Sequence, residues 1–511
     1  MKAEDQERNL KMDADNGRND DRTELEKTLK PHWVWAIALG SAIGWGAFVQ
    51  PIDWMKEAGP AGVMIGFSIG AALMILIAVS YGILIRSFPV SGGEFAYAYL
   101  SFGRTHAFIS GWFLTLGYIC IVALNASAFS LMFKFIFPPI IESVYLYSVA
   151  GWEVYLPEIV IAVEILSIFG YFNVKGTGLS GRIQFVFACF MVAGVVLIAL
   201  VVGFQSSTSF GNMEPVFVTG KTSFAAIISI VAIAPWAFVG FDAVPQAAEE
   251  FDFPAKKAFM LIVYALVFAA AIYSLMIMAT AMIRPWEEVA AEGHLWGTGH
   301  LIENLLGPMG LLLLAIALCM GIFTGLNGFI LAGSRLLFAM SRATILPSAF
   351  GKLHPKHKTP HVAVLFTVCL SSFAPFFGRE ALTWVVDMSS IGVSIAYFYT
   401  CYTAFKIFKR SKNSKDFNPK INVVSPAKKG LAGFGALASI VFIGLLLVPG
   451  SPAFLGPNSL IALLIWIVLG IIFYAFKRRE FNAIPEKRLN YLILGKEEVM
   501  SEDYKETNEA N

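Results

Sequence analysis

Charge is scarce in this chain: Asp, Glu, Lys and Arg make up 14% of its 511 residues, against 57% hydrophobic. A soluble domain carries about 25% charged residues, so a water-exposed surface of the ordinary kind is excluded. Cysteine is scarce as well. The five present, Cys120, Cys189, Cys319, Cys369 and Cys401, all fall inside apolar runs, where they read as small apolar side chains and not as disulfides or metal ligands. A phosphate-binding loop is missing. Gly220-Lys221-Thr222 ends like one, but Pro215 stands where its first glycine belongs, and ATP hydrolysis is not expected. His354, His357 and His361 sit in a Lys- and Pro-rich stretch without the helical spacing of a metal site. No nucleophile is paired with a base, so enzymatic chemistry is not expected, and nothing points to a metal, a cofactor or a nucleic-acid partner. A cleavable leader is not expected, since about 32 polar residues precede the first apolar run and no cleavage site follows them.

What the chain has instead is apolar runs approaching the roughly 20 residues that cross a bilayer. Twelve are expected, over about 33–52, 62–86, 106–133, 157–173, 180–203, 222–246, 258–283, 306–340, 360–377, 382–408, 430–449 and 457–477. The expected fold class is an all-α polytopic membrane protein with the lipid bilayer as its solvent. Of the 38 basic residues, 33 fall on the tails and even-numbered connections; the odd-numbered ones hold Lys56, Lys134, Lys221, Arg284 and Arg379. Basic connections stay in the cytoplasm, so a multi-pass cell-membrane protein with both termini cytoplasmic is expected. The stretches from Met1 to Lys30 and from Ser411 to Lys429 mix acids and bases and read as solvated and disordered. Asn125-Ala126-Ser127 matches a glycosylation acceptor but lies inside the third run.

The most informative of these runs is the first, which carries Gly40-Ser41-Ala42-Ile43-Gly44-Trp45-Gly46-Ala47-Phe48. Each glycine costs a helix roughly 1 kcal/mol, and in hydrocarbon an opened helix exposes N–H and C=O groups that need partners. The sixth run supplies a counterpart in Ala234-Pro235-Trp236-Ala237-Phe238-Val239-Gly240-Phe241-Asp242-Ala243-Val244-Pro245. Pro235 removes a donor and Gly240 frees the backbone. The sixth run stands five places after the first, as a five-plus-five inverted repeat requires.

Four stretches together resemble the amino acid-polyamine-organocation (APC) transporters of the amino acid permease type. The first run resembles the family's small-x-Ile-Gly-x-Gly-x-Phe signature. The sixth is similar to its aromatic-Ala-Phe-x-Gly-aromatic-acid signature, followed by Glu249-Glu250 and Pro254. Phe88-Pro89-Val90-Ser91-Gly92-Gly93-Glu94-Phe95-Ala96-Tyr97 resembles its Gly-Gly loop, and Ser334 to Arg342, Leu346-Pro347 and Lys358-Thr359-Pro360 resemble its cytoplasmic connection. The resemblance implies a LeuT-like (APC) fold with discontinuous helices 1 and 6. It divides the chain into a tail (1–32), a ten-helix transport core (33–408, with repeats 33–203 and 222–408), a linker (409–429), helices 11 and 12 (430–477) and a second tail (478–511).

It also implies a secondary active transporter of amino acids working by alternating access, as symport or exchange. A polyamine or other amine is the alternative substrate, and a non-transporting amino acid receptor the alternative role. Carried onto this sequence, the substrate carboxylate would meet the N–H groups of Gly44, Trp45 and Gly46. The ammonium would meet carbonyls of Ala42, Trp236 and Val239. Ile43, Phe238, Phe241 and Asn125 would complete the pocket, with Trp236 as an aromatic gate. Trp45 stands where relatives carry a small residue; it would either narrow the pocket or offer a ring face to a cation. Of the intramembrane acids, Asp242 is the coupling candidate, either carrying a proton or capping the opened backbone; Na+ coupling is the alternative. Glu164, Asp53 and Asp387 are weaker candidates, Glu94 reads as part of an inner gate, and Asn327 faces either the cavity or a neighbouring helix.

Overall fold

Glycine and proline decide where the helices of this chain stop. The computed structural model describes residues 22–149, 151–378, 380–410, 426–451 and 453–496. Helix α1 (Pro31–Ile43) starts on a proline, whose missing N–H costs nothing at that position. It ends at Gly44, whose φ of 50° and ψ of −137° suit no L side chain. After Trp45 the chain winds one further turn, α2 (Gly46–Val49), and passes through Gln50 into α3 (Pro51–Ser87). Gly59 and Pro60 break α3 in turn, with Gly59 at φ 71° and ψ 165°. The first run therefore extends to Ala58, past its expected end at 52, because Gly59-Pro60 is where the helix can stop.

Next come α4 (Gly93–Phe102), α5 (Arg104–Ile136), α6 (Leu156–Lys175) and α7 (Thr177–Gly203). The sixth run is in pieces: α8 (Ser223–Ala232), α9 (Ala234–Ala237) and α10 (Ala243–Gln246), with non-helical backbone from Phe238 to Asp242. Gly240, at φ 130°, is the centre of that gap. The remainder is α11 (Ala258–Ile283), α12 (Trp286–Glu292), α13 (Gly297–Arg342), α14 (His361–Ser371), α15 (Glu380–Arg410), α16 (Pro426–Leu447), α17 (Pro457–Ala483) and α18 (Glu486–Leu494). Gly307-Pro308 kinks α13 near its start.

Among the described residues, eight helices are long and apolar enough to cross a membrane. The remaining expected runs are the two broken ones, the short α14, and α15, a single helix of 31 residues. The chain is thus a predominantly helical, polytopic membrane protein. Helix α1 sits at the centre of the packing, against α7, α11 and α13, and α10 packs against both α1 and α13.

Two features lie outside the expectations. Residues 22–30, expected to be disordered, are docked: Leu25 and Leu29 are buried, and Leu29 pairs with Phe251 as an isolated bridge. Two apolar side chains in an otherwise charged stretch find a hydrophobic seat there. The first 21 residues and 411–425 lie outside the described residues. At the opposite end, Tyr145–Val149 and Trp152–Tyr155 form an antiparallel hairpin. It closes over Lys134, which pairs with Glu158 at 3.1 Å and lies 4.4 Å from the centre of the Trp152 ring.

Candidate functional site

The two helix breaks touch. A Cβ on Gly240 would fall 2.5 Å from the Ala42 amide nitrogen and 2.6 Å from the Ser41 carbonyl carbon, so the gap of the sixth run leans on the end of α1 with only a hydrogen between them. Tyr273, from the middle of α11, joins them: its hydroxyl lies 2.9 Å from Ala42 O and 2.8 Å from Ala237 O. Sequence reasoning missed this residue. Helix α11 carries two tyrosines, Tyr264 and Tyr273, and no pattern in that all-apolar helix tells which is inside; the first is 51% exposed and the second 1%.

An opened helix offers the backbone groups that its neighbours do not take. Gly44 N–H is taken, because it closes α1 onto Gly40 O at 3.1 Å. That corrects the expectation that it faces a ligand: a helix terminated by a glycine still completes its last turn. Among the described residues, the N–H groups of Trp45 and Gly46 have no hydrogen-bond partner. Of the three expected carbonyls, Ala42 O accepts from Tyr273 and Trp236 O from the Val239 N–H at 3.3 Å. Val239 O accepts from no described residue. Ile43 O is 3.5 Å from the Tyr273 hydroxyl.

Asn125, on α5, adds an acceptor. Its side-chain nitrogen donates to Ile121 O, one turn back, while its Oδ1 is buried without a partner and faces the break, 3.5 Å from where a Cβ on Gly44 would stand. The Trp45 and Gly46 N–H groups and Asn125 Oδ1 therefore stand without described partners at the end of α1, and Val239 O, next to Gly240, likewise accepts from no described residue.

The wall on the side away from the termini is aromatic. Trp45 meets Trp236 edge-on with centroids 6.2 Å apart, and a Cβ on Gly46 would touch the rings of Trp236 and Trp54 at 3.5 Å. Beyond Trp45 lies a cavity of about 10 Å³, bordered by Trp45, Val49, Met132, Trp296 and Leu318, room for one water at most. Trp296, from the segment joining α12 to α13, donates its indole N–H to Phe48 O at 2.9 Å and caps this side. It too was missed, since a tryptophan in a polar connection shows no partner by spacing.

The remaining residues named from the sequence part company. Phe238 packs on Phe67 and Tyr273, and Phe241 stacks on Tyr397 at 5.4 Å and meets Tyr81 at 5.3 Å; both are fully buried among ring systems behind the breaks. Asp242 caps the gap: Oδ1 accepts from Gly240 N–H at 2.6 Å and Oδ2 from the Tyr118 hydroxyl at 2.9 Å. Asn327 bonds to Asn173, Ser180 and Gln184, stitching α13 to α6 and α7 as polar side chains do between membrane helices. Asp53 pairs with Lys56 at 3.1 Å, half exposed; Glu164 is exposed; Asp387 accepts from Ser459 at 2.6 Å. Glu94 is buried and accepts from the Gln246 amide.

At the end where the termini lie, the helices are tied by charge. Arg335 Nε donates to Glu250 Oε1 at 2.8 Å, and Thr177 bonds to the same carboxylate. Arg342 grips Glu249 with two bonds of 2.9 and 3.0 Å, joined by Arg22 and the Ser91 N–H. Burial alone would raise the Glu249 carboxyl, but Arg342, Arg22 and the Ser91 N–H together outweigh it and hold the group down at about 2. For Arg22, burial and the nearby Arg342 charge act the same way and lower its pKa.

Known proteins with this sequence pattern decide the family. The amino acid permease family model matches residues 33–473. The chain belongs to the amino acid permease family, within the APC superfamily. It is 27% identical to a branched-chain amino acid permease of Bacillus subtilis over 480 residues, 90% of this chain and 95% of that protein. It is 25% identical to a methylthioribose transporter of the same organism over 480 residues, again 90% and 95% of the two chains. To cationic amino acid transporter 4 of Mus musculus it is 26% identical over 428 residues, 81% of this chain and 64% of that one. The permease match extends from the start of α1 into α17, so both breaks and Glu249, Glu250, Arg335 and Arg342 of the charged end fall within it. Amino acid transport is accordingly the activity class of this permease.

Proposed function

We propose that this permease is a secondary active carrier that moves a neutral, apolar amino acid across the cell membrane by alternating access. The observation that carries the proposal is the pair of adjoining helix breaks with unsatisfied backbone groups. Trp45 and Gly46 offer N–H groups to a carboxylate at the start of a helical turn, where the dipole favours an anion. Val239 O and Asn125 Oδ1 offer acceptors to an ammonium. A zwitterion satisfies both sets, and the Trp45, Trp54 and Trp236 rings leave an apolar wall for its side chain. The similarity to a branched-chain amino acid permease supports the same reading. An amine with a second positive charge is disfavoured, because both oxygens of Asp242 already accept hydrogen bonds and Asp53 pairs with Lys56 at the surface.

The proposal includes twelve spans, the first ten in two inverted five-helix repeats, with cytoplasmic termini; the basic-residue asymmetry and the matched breaks in runs one and six support it. It also includes proton coupling through Asp242, a fully buried acid at the break with no cation paired to it among the described residues. Uptake of labelled leucine, isoleucine or valine into proteoliposomes tests the whole reading. Gly46→Leu drives a side chain into Trp54 and Trp236 and is expected to abolish uptake, whereas Gly46→Ala, which only reaches contact distance, retains part of it. Wild-type uptake by Gly46→Leu would remove the site from this place. Asp242→Asn is expected to flatten the pH profile of uptake; a sodium requirement with an unchanged pH profile would assign the coupling to Na+ instead.

A further inference from the structure

The segment joining α12 to α13 brings two imidazoles and a carboxylate within reach of one ion. Glu292 ends α12, and Gly293, at φ 69°, turns the chain back so that His294 Nε2 lies 2.7 Å from Glu292 Oε2. His300, near the start of α13, stacks its ring on that of His294 with centroids 3.6 Å apart. One donor atom from each of the three lies within 4.8 Å of the other two. Zinc held tetrahedrally at about 2.0–2.2 Å from nitrogen and oxygen puts its ligand atoms roughly 3.3 Å apart. The Glu292–His294 pair is already closer than that spacing and the other separations stay within 4.8 Å, so binding asks the two stacked imidazoles to turn toward a shared ion.

The donor set is selective. Two imidazoles with one carboxylate suit zinc, while magnesium and calcium take oxygen ligands. The surroundings orient the ligands as outer-shell contacts do: the Asn304 amide is 2.9 Å from His300 Nε2, and Arg284 holds the other oxygen of Glu292 at 2.8 Å. The donors stand at Glu292, His294 and His300, spaced across a turn and two helices. No single-helix spacing rule finds such a set.

We propose that Glu292, His294 and His300 bind zinc, and that the bound ion fastens the cap over the outer face of the first helix break. The link is Trp296, which lies between the two histidines in the chain. Its indole N–H donates to Phe48 O, its ring packs on Phe135 with centroids 5.3 Å apart, and a Cβ on the next residue, Gly297, would meet Ile52 at 2.8 Å. An ion holding both ends of the segment 292–300 therefore holds Trp296 against α2. Opening that side requires Trp296 to leave, so zinc opposes opening. The effect on uptake rests on the carrier reading; binding of the ion does not.

Calorimetric titration of the full-length, metal-stripped permease with zinc chloride tests the site. One ion per chain is expected, with no comparable binding of magnesium, and His294→Ala or His300→Ala should weaken it by about tenfold or more. Both side chains are partly exposed, so the variants should melt like the parent without zinc. Wild-type affinity in either variant would overturn the site. Hydrogen exchange reads the cap without any substrate: zinc should slow exchange at both 292–300 and 45–52, and slowing confined to 292–300 overturns the coupling. In proteoliposomes, zinc applied on the α12 side should inhibit uptake by the parent and spare His300→Ala. Absence of uptake by both, with binding intact, counts against the carrier reading and leaves the site standing.

Discussion

The two ends of the permease are closed by opposite kinds of chemistry. At the terminus end, five charged side chains are buried in two clusters, Glu250 with Arg335 and Thr177, and Glu249 with Arg342, Arg22 and the Ser91 N–H. At the other end, Trp45, Trp54, Trp236 and Trp296 close the path with ring edges and a single indole hydrogen bond. A buried ion left without its partner is costly, so under the proposed alternating access each ion cluster would part only when water reaches all its members. Rings in contact lose a little with each ångström of separation, so the aromatic end opens by degrees. Under the proposed alternating access, the first kind of closure would have distinct open and shut states and the second would adapt to what lies beneath it.

The largest effect should come from breaking the charged end at its most buried pair. Arg335 is fully buried and Glu250 is 2% exposed, so Arg335→Ala strands a carboxylate among apolar neighbours at a cost of about 3–5 kcal/mol. A large fall in melting temperature is expected, and replacing both partners, Arg335→Met with Glu250→Leu, should restore most of it. If the single variant melts like the parent, charge is not what shuts this end.

How much of this was legible beforehand differs between the ends for a physical reason. The breaks at Gly44 and Gly240 were readable, because a glycine or proline acts on its own few residues of backbone. The acids and bases of the terminus end were visible as residues but not as partners. Glu250 meets Arg335 across 85 positions, and spacing along the chain says nothing about such a meeting. Likewise the two free N–H groups were readable, but the loss of Gly44 to its own helix and of Ala42 O to Tyr273 depended on packing. Asp242 fell between: its nearness to the break is local, whereas its bond to Tyr118 crosses 124 positions. Residues 22–30 looked like a solvated tail because their composition is polar; two leucines were enough to dock them once a seat existed.

Acid sharpens the comparison further through Glu249, at the charged end. Glu249 sits at about 2 against an ordinary 4.5. A lowered carboxyl stabilises the folded form fully above the ordinary value and loses that contribution as pH falls from about 4.5 toward 2. The amount is on the order of 3 kcal/mol. Melting temperature followed from neutral pH downward should hold until near 4.5 and then drop. In Glu249→Gln that part of the drop should be missing, and the neutral-pH melting temperature should already be lower. Equal acid sensitivity in parent and variant would show that Glu249 is not the group that titrates.

The smallest change tests the aromatic end. Trp296→Phe keeps a ring against Phe135 and Trp45's cavity but removes the donor to Phe48 O, leaving a buried carbonyl without its partner. The cost of such an orphaned acceptor is about 1–2 kcal/mol, below that of Arg335→Ala. Trp296→Ala should cost clearly more, because the ring contacts go with the bond. If closure here is graded, the two variants should rank in that order in melting temperature and in the rate of hydrogen exchange across 45–52. Should Trp296→Phe loosen that segment as fully as Trp296→Ala, the single indole bond would carry the closure. This end would then be a latch like the other.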